Sequence, residues 1–175
     1  MKKRIACAAL LLALSGFAGP AARADTAPNR LTEESFAQIR AHYAGKPLVV
    51  HIWGMTCGPC LGELPKWGEL QRAHPGMNLV LIQADQSPAE ATVKTLKEAG
   101  LSKVESWSAA AELDEYLRAS IDPKWLGDMP RTLMVSADGQ TERLRGVADL
   151  AQVRRWLEAH GRATPGAVAN EKGNR

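Results

Sequence analysis

"PLVVHIWGMTCGPCLGELPKW", residues 47–67, decides how this chain folds. A proline opens it, a short β-branched and nearly continuous apolar run follows, and Gly54 ends that run. This is the pattern of a strand buried on both faces of a helix-covered sheet. A helical stretch from about Cys57 to Arg72 comes next, with Leu61, Leu64, Trp67 and Leu70 as its expected apolar stripe. Cys57 and Cys60 therefore sit where a buried strand passes into a helix.

Working outward, "MNLVLIQAD" (77–85) reads as the next strand. "SPAEATVKTLKEAG" (87–100) reads as a helix with Ser87 and Glu90 as a capping box, Pro88 at the first helical position and Gly100 as its stop. Upstream, residues 25–30 are polar and form an expected flexible lead, and "LTEESFAQIRAHYAG" (31–45) forms an amphipathic helix. Thr32 is its expected N-cap, and Phe36, Ile39 and Tyr43 share one face. Downstream come a weaker segment around Val104 to Trp107 and a short helix from about Ala110 to Ser120. "RTLMVS" and "QTERLR" then flank Asp138-Gly139, a strong hairpin signal. "DLAQVRRWLEAHG" closes the domain, with Asp149 and Gln152 as a capping box and Gly161 as its stop. The order of elements predicts an α/β domain with a central mixed sheet flanked by helices on both faces.

Residues 1–24 carry Lys2, Lys3 and Arg4, an apolar run from Ile5 to about Phe17, and Ala22-Arg23-Ala24. That layout predicts a cleaved signal peptide ending at Ala24. Its apolar run is shorter than the roughly 20 residues that span a bilayer. Residues 162–175 are small, polar and Pro/Gly-containing, which predicts a disordered tail and leaves 25–161 as the domain. The sequence has 22 Lys and Arg against 19 Asp and Glu. Four of the cations lie in the leader, so 18 face 19 afterwards, a formal charge of −1. The basic balance thus belongs to the leader and does not point to nucleic acid. Cys7 leaves with it, so Cys57 and Cys60 stand without a second disulfide framework.

A structural zinc site needs about four ligands. Beyond the cysteine pair the chain offers only the scattered His42, His51, His74 and His160, while a two-thiolate copper(I) site stays open. A structural staple is common in exported proteins, yet a loop this small constrains the unfolded chain little. The redox reading has a mechanical basis. At a helix start Cys57 meets unpaired N–H groups and the positive end of the dipole, which favour thiolate. Cys60, one turn on, is within reach of a mixed disulfide on Cys57.

The segment "IWGMTCGPCLGELPKW" resembles the active site of the thioredoxin superfamily, whose thioredoxins carry the same CGPC tetrapeptide. The spacing Cys-x-x-Cys-x-x-Glu-x-Pro, with Glu63 and Pro65, resembles the TlpA, ResA and CcmG branch. With Met129-Pro130 the resemblance covers about residues 31–161. It implies a thioredoxin fold with an extra N-terminal helix and an exported, periplasmic thiol-disulfide oxidoreductase. No cofactor beyond the Cys57–Cys60 pair is implied. In that family the residue at Cys57 is the nucleophile and that at Cys60 the resolving cysteine. Pro130 matches a cis-proline that, with Met129, docks an extended substrate segment, the alternative being an ordinary trans turn proline. Glu63 matches a carboxylate that takes or supplies the proton of Cys60, the alternative being an exposed first-turn glutamate. Pro65 matches a helix-kinking proline, and Trp53 an aromatic packed beneath the site.

The resemblance further implies reduction of disulfides in envelope proteins, apocytochrome c or copper-site assembly factors among them, with electrons from a membrane reductase of the DsbD/CcdA kind. A disulfide oxidase or isomerase, or a copper(I)-binding assembly module using the same cysteines with His51, are the alternatives. Three positions depart from the pattern. Thr56 stands where thioredoxins carry Trp. His51 stands where they carry a buried aspartate, so it either relays protons or is a neutral core histidine. Gly127 lies one residue farther from Pro130 than in CcmG-like proteins.

Overall fold

The computed structural model describes residues 27–109 and 113–161. The expected leader, the expected tail and the start of the helix expected from Ala110 lie outside the described residues. The elements, in chain order, are β1 Asn29–Leu31, α1 Ser35–His42, β2 Leu48–Trp53, α2 Gly58–Ala73, β3 Leu79–Gln83, α3 Ala89–Glu98, β4 Glu105–Ala109, α4 Glu115–Ile121, β5 Arg131–Val135, β6 Thr141–Arg145 and α5 Leu150–His160.

One sheet runs in the order β1-β4-β3-β2-β5-β6. β1, β4, β3 and β2 pair in parallel, while β5 pairs antiparallel with β2 and with β6, so the sheet is mixed as expected. β2 lies at its centre and every one of its residues is buried, which explains its unbroken apolar run. Val49 and Trp53 pack with Leu64 and Trp67 of α2, Leu96 of α3, and Val153 and Trp156 of α5. Val50 and Ile52, on the opposite face, pack with Phe36 and Ile39 of α1 and Ile121 of α4. Both faces of the sheet are thus covered by helices. α2 and α3 meet closely at Gly68, where a Cβ would fall on the Ala99 carbonyl oxygen.

The hairpin forms as read, with Ser136 N–H bonded to Gln140 O and Gly139 at φ +87. Asp149 caps α5, accepting from the amides of Ala151 and Gln152. Several expectations are corrected. Asn29 and Arg30 of the supposed lead, with Leu31 from the start of the expected helical stretch, form strand β1, which pairs with β4 from Asn29↔Trp107 to Leu31↔Ala109. α1 starts at Ser35. Thr32 instead makes a turn, its amide donating to Ser35 Oγ and its carbonyl accepting from the Ser35 amide. The Ser87–Glu90 capping box does not form. Pro88 occupies the N-cap of α3 without any side-chain cap. On α2, Cys60 takes the inward place given to Leu61, which turns about 100° away and is exposed.

Candidate active site

Cys57 is the N-cap residue of α2, in extended conformation, and its Sγ accepts from the Cys60 amide at 3.3 Å. Cys57 is half-buried and Cys60 fully buried, and the two are joined in a disulfide. The geometry follows from the local sequence. β2 ends at Trp53, and Gly58-Pro59 begins a helix at once, Pro59 having no amide to leave unpaired in the first turn. An amide already aimed at Sγ stabilises negative charge there once the bond opens. Pro65 lies inside α2, where it removes one backbone donor.

The loop between β2 and α2 is anchored by Asp85, which directly follows β3 and Ala84. Its carboxylate accepts from the amides of Met55 (2.9 Å) and Thr56 (2.7 Å) and from the Thr56 hydroxyl (2.9 Å). Gln83 Nε2 donates to it as well, while Gln83 Oε1 accepts from Thr92 and Ser108. Burial alone would raise the Asp85 pKa. The hydrogen bonds from Thr56, Met55 and Gln83 outweigh it and hold the carboxyl below its ordinary range. The sequence reading missed Asp85. Its available signal was position, an acid at the carboxyl end of a parallel strand beside the motif-bearing one, where sites of open sheets form.

Thr56, the departure from Trp, is thus a second ligand of this anchor rather than a contact surface. Gly54 is required by the same packing, since a Cβ there would lie 2.8 Å from Asp85 Oδ2 and 3.3 Å from the Met129 methyl. The Met129-Pro130 bond is cis. Met129 packs against the same core cluster as Cys57, the cluster that contains Cys60. A cleft of about 370 Å³ opens between these parts, lined by Asp85, Ala84, Trp125, Gly127, Met129 and Arg118. Leu126, between the lining residues Trp125 and Gly127 in sequence, is exposed, as are Tyr116 and Val147.

Glu63 is not an exposed first-turn glutamate. It is buried, with 2% of its surface exposed, on the inner face of α2 one turn after Cys60. Its Oε2 accepts from the Ala148 amide at 3.0 Å. His51, the central residue of the buried face of β2, is fully buried. Its Nδ1 is 3.1 Å from Thr132 Oγ1, its Nε2 is 3.2 Å from Glu63 Oε1, and its ring lies against Trp67. The structure thus brings His51 and Glu63 together. Both ring nitrogens of His51 face protein partners, so it is not turned toward the sulfurs as a third copper ligand. Trp53, fully buried, packs in the same cluster as Cys60, as expected.

Behind Pro130 a second set of charges is assembled. Arg131, buried, donates to Asp122 Oδ2 through Nε (3.1 Å) and Nη2 (2.7 Å), and Arg143 donates to the same carboxylate. Asp128 accepts from Arg131 and Arg145. Burial raises both acids, but the hydrogen bonds and charges of the arginines outweigh it and hold both below the ordinary carboxylate range.

No family model matches the sequence. Solved structures do resemble it. A secreted Mycobacterium tuberculosis disulfide oxidoreductase homologous to E. coli DsbE aligns at 20% identity over 68% of this chain and 85% of that one, with a TM-score of 0.56. A thiol:disulfide interchange protein of the thioredoxin family from Chlorobium tepidum aligns at 22% identity over 69% and 83%, TM-score 0.54. A thiol-disulfide isomerase from Corynebacterium glutamicum aligns at 16% identity over 71% and 86%, TM-score 0.57. These likenesses, together with the topology, establish the thioredoxin fold for this chain.

Proposed function

We propose that the protein is an exported thiol-disulfide oxidoreductase that reduces disulfides in particular envelope proteins. The observation that carries the reading is a disulfide at the start of α2, half-exposed at Cys57 and buried at Cys60. Cys57 thiolate attacks one sulfur of a client disulfide, forming a mixed disulfide and expelling the first client thiolate. Cys60 gives its proton to Glu63 and attacks Cys57 Sγ. The Cys57–Cys60 bond re-forms and the second client thiolate leaves, taking a proton from water. The client gains two electrons and the cysteine pair loses them. Met129 and Pro130 dock the client segment, and the adjoining cleft, with the exposed apolar residues around it, receives its side chains.

Export rests on residues 1–24, and a secreted neighbour of the same fold supports it. In an oxidising compartment a reductase needs an electron supply, for which a membrane reductase of the DsbD/CcdA kind is the fitting partner. Apocytochrome c and copper-site assembly factors are the client classes this reading favours. No helix among the described residues is long and apolar enough to cross a membrane.

The reduction potential of the Cys57–Cys60 couple tests the direction. A value near about −270 mV, that of thioredoxin, supports a reductase, and one near about −120 mV, that of DsbA, turns the reading to an oxidase. Cys57→Ser is expected to abolish insulin disulfide reduction. Cys60→Ser is expected to hold clients as mixed disulfides on Cys57, from which they can be identified.

A further inference from the structure

We infer that His51 is a positioning residue that keeps Glu63 in the form able to take the proton of Cys60. The inference rests on the reading of Glu63 given above and extends it to a residue on a different strand. Its basis is an unusual contact. His51 Nε2 and Glu63 Oε1 are 3.2 Å apart, both buried, yet they are not aligned as a hydrogen bond, and neither atom has another hydrogen-bond partner. Two buried polar atoms left facing each other are costly unless a proton lies between them.

The surroundings admit two arrangements of that proton, and only one serves Cys60. Thr132 lies directly opposite His51 in the β2/β5 register, and its hydroxyl reaches Nδ1 at 3.1 Å. When Thr132 donates to Nδ1, the neutral ring carries its proton on Nε2, toward Glu63. An N–H then faces a carboxylate whose other oxygen is held by the Ala148 amide. In the opposite tautomer a lone pair of Nε2 faces Oε1, and Glu63 must itself be protonated. The first arrangement leaves Glu63 ready to accept a proton, the second does not. From β3 the neighbour in register is Leu81, from β5 Thr132, from α2 Trp67 and Glu63, and from the segment before α5 the Ala148 amide. Among these neighbours in the described residues the ionisable groups are His51 and Glu63 themselves, and Cys60 is buried one turn back on α2.

Removing the Nε2–H leaves the buried carboxylate with one donor and favours its protonated form. Release of a client from Cys57 then turns on at higher pH. The step can be isolated by mixing the reduced protein with a chromophoric aromatic disulfide and following the second equivalent of coloured thiol, which Cys60 releases from Cys57, from pH 4.5 to 9. In His51→Leu the rise of this rate with pH is expected to move up by about one unit or more, a loss of about tenfold on the wild-type rise. Thr132→Val, which removes the hydroxyl partner of Nδ1 and with it the donor that favours the Nε2–H form, is expected to move it in the same direction by less. His51→Gln, which retains an N–H donor, is expected to fall between wild type and His51→Leu. A rise that stays at the wild-type pH in His51→Leu overturns the inference. If that variant does not fold, an unmoved rise in Thr132→Val does so. An unmoved rise in Glu63→Gln instead overturns the reading of Glu63 itself.

Discussion

Two buried polar clusters flank the disulfide, and they are built on opposite terms. Behind Pro130, Asp122 receives both Arg131 and Arg143 as well as the Lys124 amide, and Arg131 also reaches Asp128. Between α2 and β2, His51 and Glu63 face each other without a linear bond. A carboxylate held by several donors, as Asp122 is, has a single arrangement, while a pair left half-satisfied is tolerated where protons must move. The arginine cluster fixes the segment before β5, and the His51–Glu63 pair is the one proposed above to serve Cys60.

Breaking the first cluster should have the largest effect on stability. Arg131→Leu leaves the buried Asp122 carboxylate with only Arg143 and the Lys124 amide as donors, and a loss of about 2–3 kcal/mol in unfolding free energy is expected from urea titration. A loss below about 1 kcal/mol would show the network to be ornamental. Gly68→Ala, distant from the arginine cluster but on the helix that carries Glu63, forces α2 off the Ala99 carbonyl at a cost of about 1–3 kcal/mol.

Acid acts next. The carboxyls of Asp85, Asp122 and Asp128 are all held below their ordinary range in the folded chain. Their contribution is fully present above the ordinary carboxylate pKa of about 4 and disappears as pH falls through the lower folded values. Unfolding free energy should therefore drop steeply between about pH 4 and 2, and less steeply in Arg131→Leu. Equal slopes would remove the network from the account.

Glu63→Gln should have the smallest effect on stability. It gives up a buried carboxylate that has one hydrogen bond, so a change within about 1 kcal/mol in either direction is expected, with release from Cys57 slowed about 100-fold or more at neutral pH. A variant that loses several kcal/mol yet keeps its release rate would make the two clusters alike. Leu126→Ser, at the rim of the cleft, should leave stability within about 0.5 kcal/mol and raise the KM for a protein client, measured by initial rates.

Much of this was legible in the chain. β2, α2 and the hairpin announce themselves because each is specified locally, by a buried apolar run, a helix start at Cys57 and an Asp-Gly turn. The cis Met129-Pro130 bond was legible only through resemblance, since nothing local distinguishes Pro130 from a trans turn proline. β1 escaped because it is three residues long and lies at the sheet edge, where pairing with β4 outweighs a polar sequence. Ser87 and Glu90 read as a cap, but Pro88 sits at the position that Ser87 would have to fill. His51 and Glu63 were each singled out, yet their contact was hidden. They lie on a strand and on the helix that crosses it, and only that packing brings them within reach. Asp85 carries its meaning solely by standing at the end of β3.

The edges of the sheet limit how another chain can join it. β1 offers only a three-residue rim, and the far rim is β6, "TERLR", where Arg143 and Arg145 are tied back to Asp122 and Asp128. Short, charged rims discourage strand-by-strand growth. Another chain is thereby discouraged from lengthening the sheet sideways at either rim. The arginine–aspartate pairs that hold the segment before β5 also close off the β6 flank.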